Sequence, residues 1–175
     1  IMICGSTSPF NEVEEEVAKQ TYKLYNERQR EILRRGDVYH VLDMPDGVHW
    51  DGMEFYNSEI GKGSLIVFRP SHADDEEKTI KLDGLDAKAT YLVEFEDRDY
   101  LNTTMTGKQL MEEGVTILDM DQKYDSEIVW FTKQIVPAAS VEIAPEKFEI
   151  GETKQLTATV LPAEAEQDVT WKVYS

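Results

Sequence analysis

GMEFYNSEIGKGSLIVFRP, residues 52–70, is the stretch on which the fold turns. Two runs rich in aromatic and branched apolar residues flank IGKG (60–63), a short piece with two glycines. Runs of that length and composition, bounded by turn residues, read as strands. A loop this short joins them only as an antiparallel hairpin. IGKGS also lacks the spacing of a phosphate-binding loop, so its glycines read as a β-turn feeding a strand.

Working outward, the two-residue period recurs in DVYHVL (37–42), KTIKLDG (78–84), ATYLVEFED (89–97), GVTILDM (114–120) and SEIVWFTK (126–133). Turn-rich pieces such as DMPDG (43–47) and LDGLD (82–86) separate them. These spacings leave no room for helical crossovers, so the sheets are expected to be antiparallel and the strand number predicts a sandwich. TGKQLMEEG (106–114) interrupts the pattern: helix formers flank Leu110 and Met111, and Gly114 follows, which predicts a short helical turn or a loop.

Upstream, residues 8–36 carry the one strong helical signal. Ser8 before Pro9, or Asn11 three residues before Glu14, supplies the N-cap. Glu12, Glu14, Glu15 and Glu16 complement the positive end of the helix dipole, and Arg34 and Arg35 the negative end. Gly36 is expected to supply a left-handed terminator. Val13, Val17, Leu24, Tyr25 and Ile32 form an interrupted apolar stripe, so one face should pack on something. Downstream, TKQIVPAAS (132–140) has the small residues and proline of a linker, and the strand pattern restarts at Ser140. The expected fold is therefore mainly β: an antiparallel β-sandwich, one long α-helix before it, and an incomplete β segment after it.

Charge excludes whole classes of function. Eighteen Lys and Arg stand against 35 Asp and Glu, a formal −17. Such a field repels nucleic acid and anionic lipid, whose binding needs basic side chains. No apolar run approaches the length of a membrane span, and no basic-then-apolar leader is present, so neither nucleic acid nor membrane insertion is expected. Cys4, the one cysteine, allows no intrachain disulfide and reads as a small buried hydrophobe beside Ile1, Met2 and Ile3. A start on IMICGS suggests that the front of a longer protein is missing.

No catalytic constellation emerges. Carboxylate pairs carry little information in so acidic a chain, and ADDEEK (73–78) reads as a solvated loop. His40, His49 and His72 are scattered, so no metal site and no cofactor are expected. Asp119, Asp121 and Asp125 have a faintly calcium-like spacing without the central Gly or the closing Glu of an EF-hand. The remaining candidates are Trp50 and Tyr56, in DGVHWDGMEFY (46–56), as an aromatic platform for a carbohydrate. Large aromatics are more often core, and that reading is favoured. Trp130 and Phe131 read as a core strand.

Three stretches carry a family resemblance. YKLYNERQREILRRGDVYHVL (22–42) resembles the last barrel helix of α-galactosidase-like glycoside hydrolases, the melibiase or family 36 type, leading through Gly-Asp into a C-terminal sandwich. PDGVHWDGMEFYNSEIGKGSLIVFRP (45–70) is similar to the next hairpin of that sandwich. IKLDGLDAKATYLVEFED (80–97) with MTGKQLMEEGVTI (105–117) resembles the family's Leu-x-Gly-Leu-Asp, its Tyr-led strand and its Gly-x-x-Leu-Met-x-x-Gly segment. The resemblance implies that residues 1–36 are a remnant of the catalytic barrel, and that 37–134 form the C-terminal antiparallel sandwich. No residue matches the family's catalytic carboxylates, so none is assigned.

SVEIAPEKFEIGETKQLTATVLPAEAEQDVTWKVYS (140–175) resembles the first half of a bacterial immunoglobulin-like domain of group 2, which makes 135–175 a partial domain. The resemblance implies that strands should follow Trp171, and that without them this segment packs poorly or borrows contacts. The combined expectation is a noncatalytic C-terminal accessory piece of a bacterial glycoside hydrolase, partnered by the catalytic barrel of the same chain and secreted or surface-bound, with a cytoplasmic location as the alternative. A carbohydrate- or surface-binding module, with oligosaccharide as partner, is the alternative.

Overall fold

The computed structural model describes residues 11–144, 149, 151–163, 165 and 167–172. The Ser8–Pro9 cap and Cys4 lie outside the described residues. The chain divides into two compact units, Ile1–Lys133 and Gln134–Ser175.

The first unit is built on a six-stranded antiparallel sheet in the order β1-β2-β3-β8-β5-β6. Its strands are β1 (Asp37–Tyr39), β2 (Asp51–Asn57), β3 (Lys62–Arg69), β5 (Thr90–Phe95), β6 (Thr103–Thr106) and β8 (Asp125–Lys133). A second, two-stranded antiparallel sheet pairs β4 (Lys78–Ile80) with β7 (Val115–Ile117). The 52–70 hairpin forms as expected, with Met53 opposite Ile66 and Tyr56 opposite Gly63. Alternation then turns Leu65 and Val67 of β3, Tyr91, Val93 and Phe95 of β5, and Val129 and Phe131 of β8 into one core. Ile80, Val115, Ile117, Leu82, Leu85 and Leu110 close it from the other side.

At the centre three rings meet: Tyr56 lies stacked on Phe131 at 5.9 Å between centroids, and Tyr91 meets Phe131 edge-on at 6.5 Å. Gly63 makes this possible, because a Cβ there would sit 2.0 Å from Phe131 Cε2. Trp130, next along β8, faces the opposite side of the sheet and is equally buried.

That opposite face carries the helix, 24 residues in all. It runs as α1 (Glu12–Leu24), a π-helical stretch Tyr25–Gln29, and α2 (Arg30–Arg35). Asn11 is the N-cap: its side chain accepts from the Glu14 amide at 2.9 Å while the Glu14 carboxylate accepts from the Asn11 amide at 2.9 Å. Ile32 is buried, whereas Val13 and Val17 are 73% and 56% exposed, so only the C-terminal half of the stripe is covered within the unit. Over Trp130 stands Arg28, its guanidinium 4.5 Å from the ring centroid and 2.8 Å from Glu94 Oε2.

Gly36 departs from the expected left-handed terminator: its backbone is extended, at φ −80° and ψ 152°. Glycine is needed there for room, since a Cβ would lie 2.4 Å from the Ile32 carbonyl oxygen and 3.0 Å from that of Tyr56. TGKQLMEEG contains the expected short helix, α3 (Gly107–Glu112), with a capping box between Thr106 and Gln109. Strand β6 was not legible, because Thr-Thr-Met-Thr offers no apolar alternation. It is held at the sheet edge by pairing with β5, beside an Asn102 side chain that accepts the Phe95 amide at 2.7 Å.

In the second unit β9 (Ser140–Ile143) pairs antiparallel with β10 (Ala158–Leu161). The Gln167 side chain bonds both the N–H and the C=O of Val160 at 3.2 Å, continuing the ladder in place of a third backbone. Strand β9 is exposed throughout, and Trp171 is 47% exposed.

Candidate functional site

The two residues singled out for sugar stacking lie inside the sandwich. Trp50 and Tyr56 are each 4% exposed, so neither offers the open ring face that stacking requires. The Trp50 indole N–H is donated to the Asp75 carbonyl at 3.2 Å, and the Tyr56 hydroxyl meets that of Tyr91 at 2.9 Å. Burial and the bond with Tyr91 push the Tyr56 phenol well above its ordinary range. Both side chains act as core members with one satisfied polar atom each.

What Trp50 does is hold a loop. Arg69, the inward residue after Leu65 and Val67, donates to the carbonyls of Asp75 (2.7 Å), Ala73 (2.8 Å) and Gln122 (3.1 Å). Pinned from beneath, residues 74–77 turn their four carboxylates outward, and with Asp119 they line an open cleft of about 410 Å³. A second buried arginine supports the Asp119 side. Arg98 bonds the Asp119 carbonyl at 3.0 Å, the Asp125 carboxylate at 2.6 Å and the buried Glu127 carboxylate at 3.1 Å. This disperses the calcium-like trio. Asp125 is committed to Arg98, Asp119 accepts from the Tyr100 hydroxyl at 2.5 Å, and Asp121 accepts from Gln122. Among the described residues no group of three or more His, Cys, Asp and Glu side chains is placed to hold a metal ion.

A second, smaller cleft of about 150 Å³ lies under the helix, lined by Arg28, Ile32, Lys62, Gly63, Trp130 and their neighbours. The histidines do not converge either: His49 is exposed and bonds Asp46 at 2.6 Å, which raises its imidazole and, with the Val48 and His49 amides, holds the Asp46 carboxyl down. Acid–base work needs a carboxyl with a raised proton affinity facing a cleft opposite a second one. Burial pushes Glu54 up to about 8, and raises Asp51 as well, but neither lines either cleft.

Sequence reasoning missed Arg69, Arg98, Glu54 and Glu127. For three of them the signal was present: Glu54, Arg69 and Glu127 occupy inward register positions of strands whose neighbouring inward residues are apolar. A charge at such a position must find a partner or give up its charge.

Residues 50–131 match the family model described as the glycosyl hydrolase family 36 C-terminal domain. This stretch thus corresponds to a C-terminal region of a family 36 glycoside hydrolase, as the residues in 22–117 suggested. Solved structures of α-galactosidases share the fold. The α-galactosidase AgaA of Geobacillus stearothermophilus is similar over 73% of this chain, with a TM-score of 0.59 and 21% identity. AgaB of that organism gives the same figures, and the α-galactosidase of Lactobacillus brevis gives 77%, 0.54 and 16%. Variants of AgaA have been solved with raffinose and with stachyose. This chain spans only 17% of the two Geobacillus enzymes and 18% of the Lactobacillus one. No curated protein matches the chain. Among the described residues, no helix is long and apolar enough to cross a membrane.

Proposed function

We propose that this chain is a noncatalytic C-terminal accessory part of a bacterial α-galactosidase-like glycoside hydrolase, working beside a catalytic barrel in the same longer chain. The observation that carries the reading is the family match over 50–131, which is to the C-terminal domain of that family. The exposed half of the helix, Val13, Val17 and Tyr22, supplies the apolar surface that this reading assigns to the barrel. The partner enzyme's substrates would be α-linked oligosaccharides, by analogy with the relatives solved with raffinose and stachyose. Residues 140–175, with their resemblance to a bacterial immunoglobulin-like domain, support a spacer or attachment role in a secreted or surface-bound parent.

The test is turnover of a chromogenic α-galactoside by the purified 175-residue chain. No release of chromophore above buffer is expected, and saturable turnover would overturn the noncatalytic reading. A galactoside titration run in parallel gives no saturable binding on this account. Saturable binding would replace the accessory role with that of a carbohydrate-binding module.

A further inference from the structure

Glu54 is 0% exposed and sits on the core side of β2, opposite Leu65 of β3 and Tyr39 of β1. Its Oε2 accepts the Asp83 backbone N–H at 2.8 Å, while Oε1 has no partner. Asp83 begins the tight part of LDGLD (82–86), in which Gly84 adopts φ +68°. The Tyr39 hydroxyl lies against Gly84 so closely that a Cβ there would be 2.1 Å from it. From the other end, the Asp86 N–H is donated to the Tyr91 hydroxyl at 3.1 Å. The loop also carries α3 with it: the Leu82 N–H bonds the Leu110 carbonyl at 3.0 Å, and the Lys108 N–H bonds the Ala87 carbonyl at 3.2 Å.

Apart from the Asp83 amide, which partly favours the carboxylate, the groups facing Glu54 offer its charge no compensation. Asp83 comes from the loop as a like charge, Tyr39 from β1 is a phenol, and Leu65 from β3 is apolar. Among the described residues no ion pair reaches it. A carboxyl so enclosed remains in place only while neutral, because an uncompensated buried charge costs several kcal/mol.

We propose that Glu54 is a protonation-controlled latch on the 81–89 loop and α3: uncharged it stays in the core and holds the Asp83 amide, and once ionised it leaves the core and frees the loop. Burial, the dominant influence, lifts its proton affinity to about 8, against the partial opposition of the Asp83 amide. The sign follows: a group whose affinity for protons is higher in the folded state stabilises fully below the ordinary carboxyl range, and that contribution is lost as pH rises through about 8. The latch therefore weakens progressively from the ordinary carboxyl range up to about 8, where its contribution is spent.

Amide hydrogen exchange on the full 175-residue chain, followed by NMR from about pH 6 to about pH 9, reads this directly. After correction for the intrinsic rate, the protection of Asp83 and Leu82 should fall by up to about tenfold per pH unit from about pH 6 to about 8 and level off above it, with the amides of Leu65 and Val129 unchanged. Glu54→Gln keeps the acceptor and removes the charge, so its loop should stay protected throughout. An equal alkaline loss in Glu54→Gln, or no loss in the wild type, would overturn the proposal. If that variant does not fold, the carboxyl ¹³C resonance of Glu54 in the wild type decides: a midpoint in the ordinary carboxylate range contradicts the latch, and one near 8 that coincides with loop opening supports it.

Discussion

Arg98 gathers Asp125, Glu127 and the Asp119 carbonyl into one buried knot, and removing it would leave Glu127 as an unpaired charge in the core. Arg98→Met should cost about 3–5 kcal/mol in urea unfolding, whereas truncating an exposed pair such as Lys108–Glu112 should cost below ~1 kcal/mol. A loss under ~1 kcal/mol for Arg98→Met would mean the knot is held by something else. Gly63→Ala tests the ring cluster from the opposite direction, by adding a methyl where Phe131 already lies. Overpacking of this kind costs about 1–3 kcal/mol, read as a lowered midpoint. Legibility at this scale was uneven. The strands that carry Leu65, Val67, Val129 and Phe131 were legible, but which of their residues face inward was not assigned, and with it went the inward positions of Glu54 and Glu127. Trp50 shows the reverse limit: a Trp between two turns reads the same whether its ring is open or buried, and here packing buries it.

Among the elements, the helix is the one whose two halves differ. Its N-terminal half leans on its own cap, so Asn11→Ala should cost about 1 kcal/mol and speed amide exchange in residues 12–16 without touching α2. Its C-terminal half is fixed by Ile32 against the sheet and by Arg28 over Trp130. Gln29, also buried there, has neither side-chain amide atom bonded among the described residues. Gln29→Met keeps the length and removes two unsatisfied groups, and should raise stability by about 1–3 kcal/mol in the same urea experiment. A fall in stability would show that the amide is bonded after all. The helix itself was legible because its period, cap residues and charge gradient agree. Its π-helical stretch and the extended Gly36 were not, since both are set by where the sheet stands rather than by local preference. The hairpin of 52–70 was legible for the opposite reason: turn and period are both local. Strand β6 exists only because β5 offers it an edge.

At the scale of the whole molecule, a formal charge of −17 loads the folded state with self-repulsion. Raising NaCl from about 0.05 M to about 0.5 M should lift Tm by a few degrees, because the screening length shrinks to well under 10 Å. A Tm that falls or does not move would place the repulsion in the unfolded chain equally. Neither charge nor core says what the sandwich is for; the assignment rests on the family match over 50–131 and on the account of the helix as a surface for a barrel. The coding sequence upstream of Ile1 tests that account most directly. It should encode, in frame, a catalytic barrel with two carboxylate-bearing strand ends, joined to this chain through the helix that begins at Glu12. An in-frame start codon immediately upstream, or an unrelated domain in the barrel's place, would contradict it.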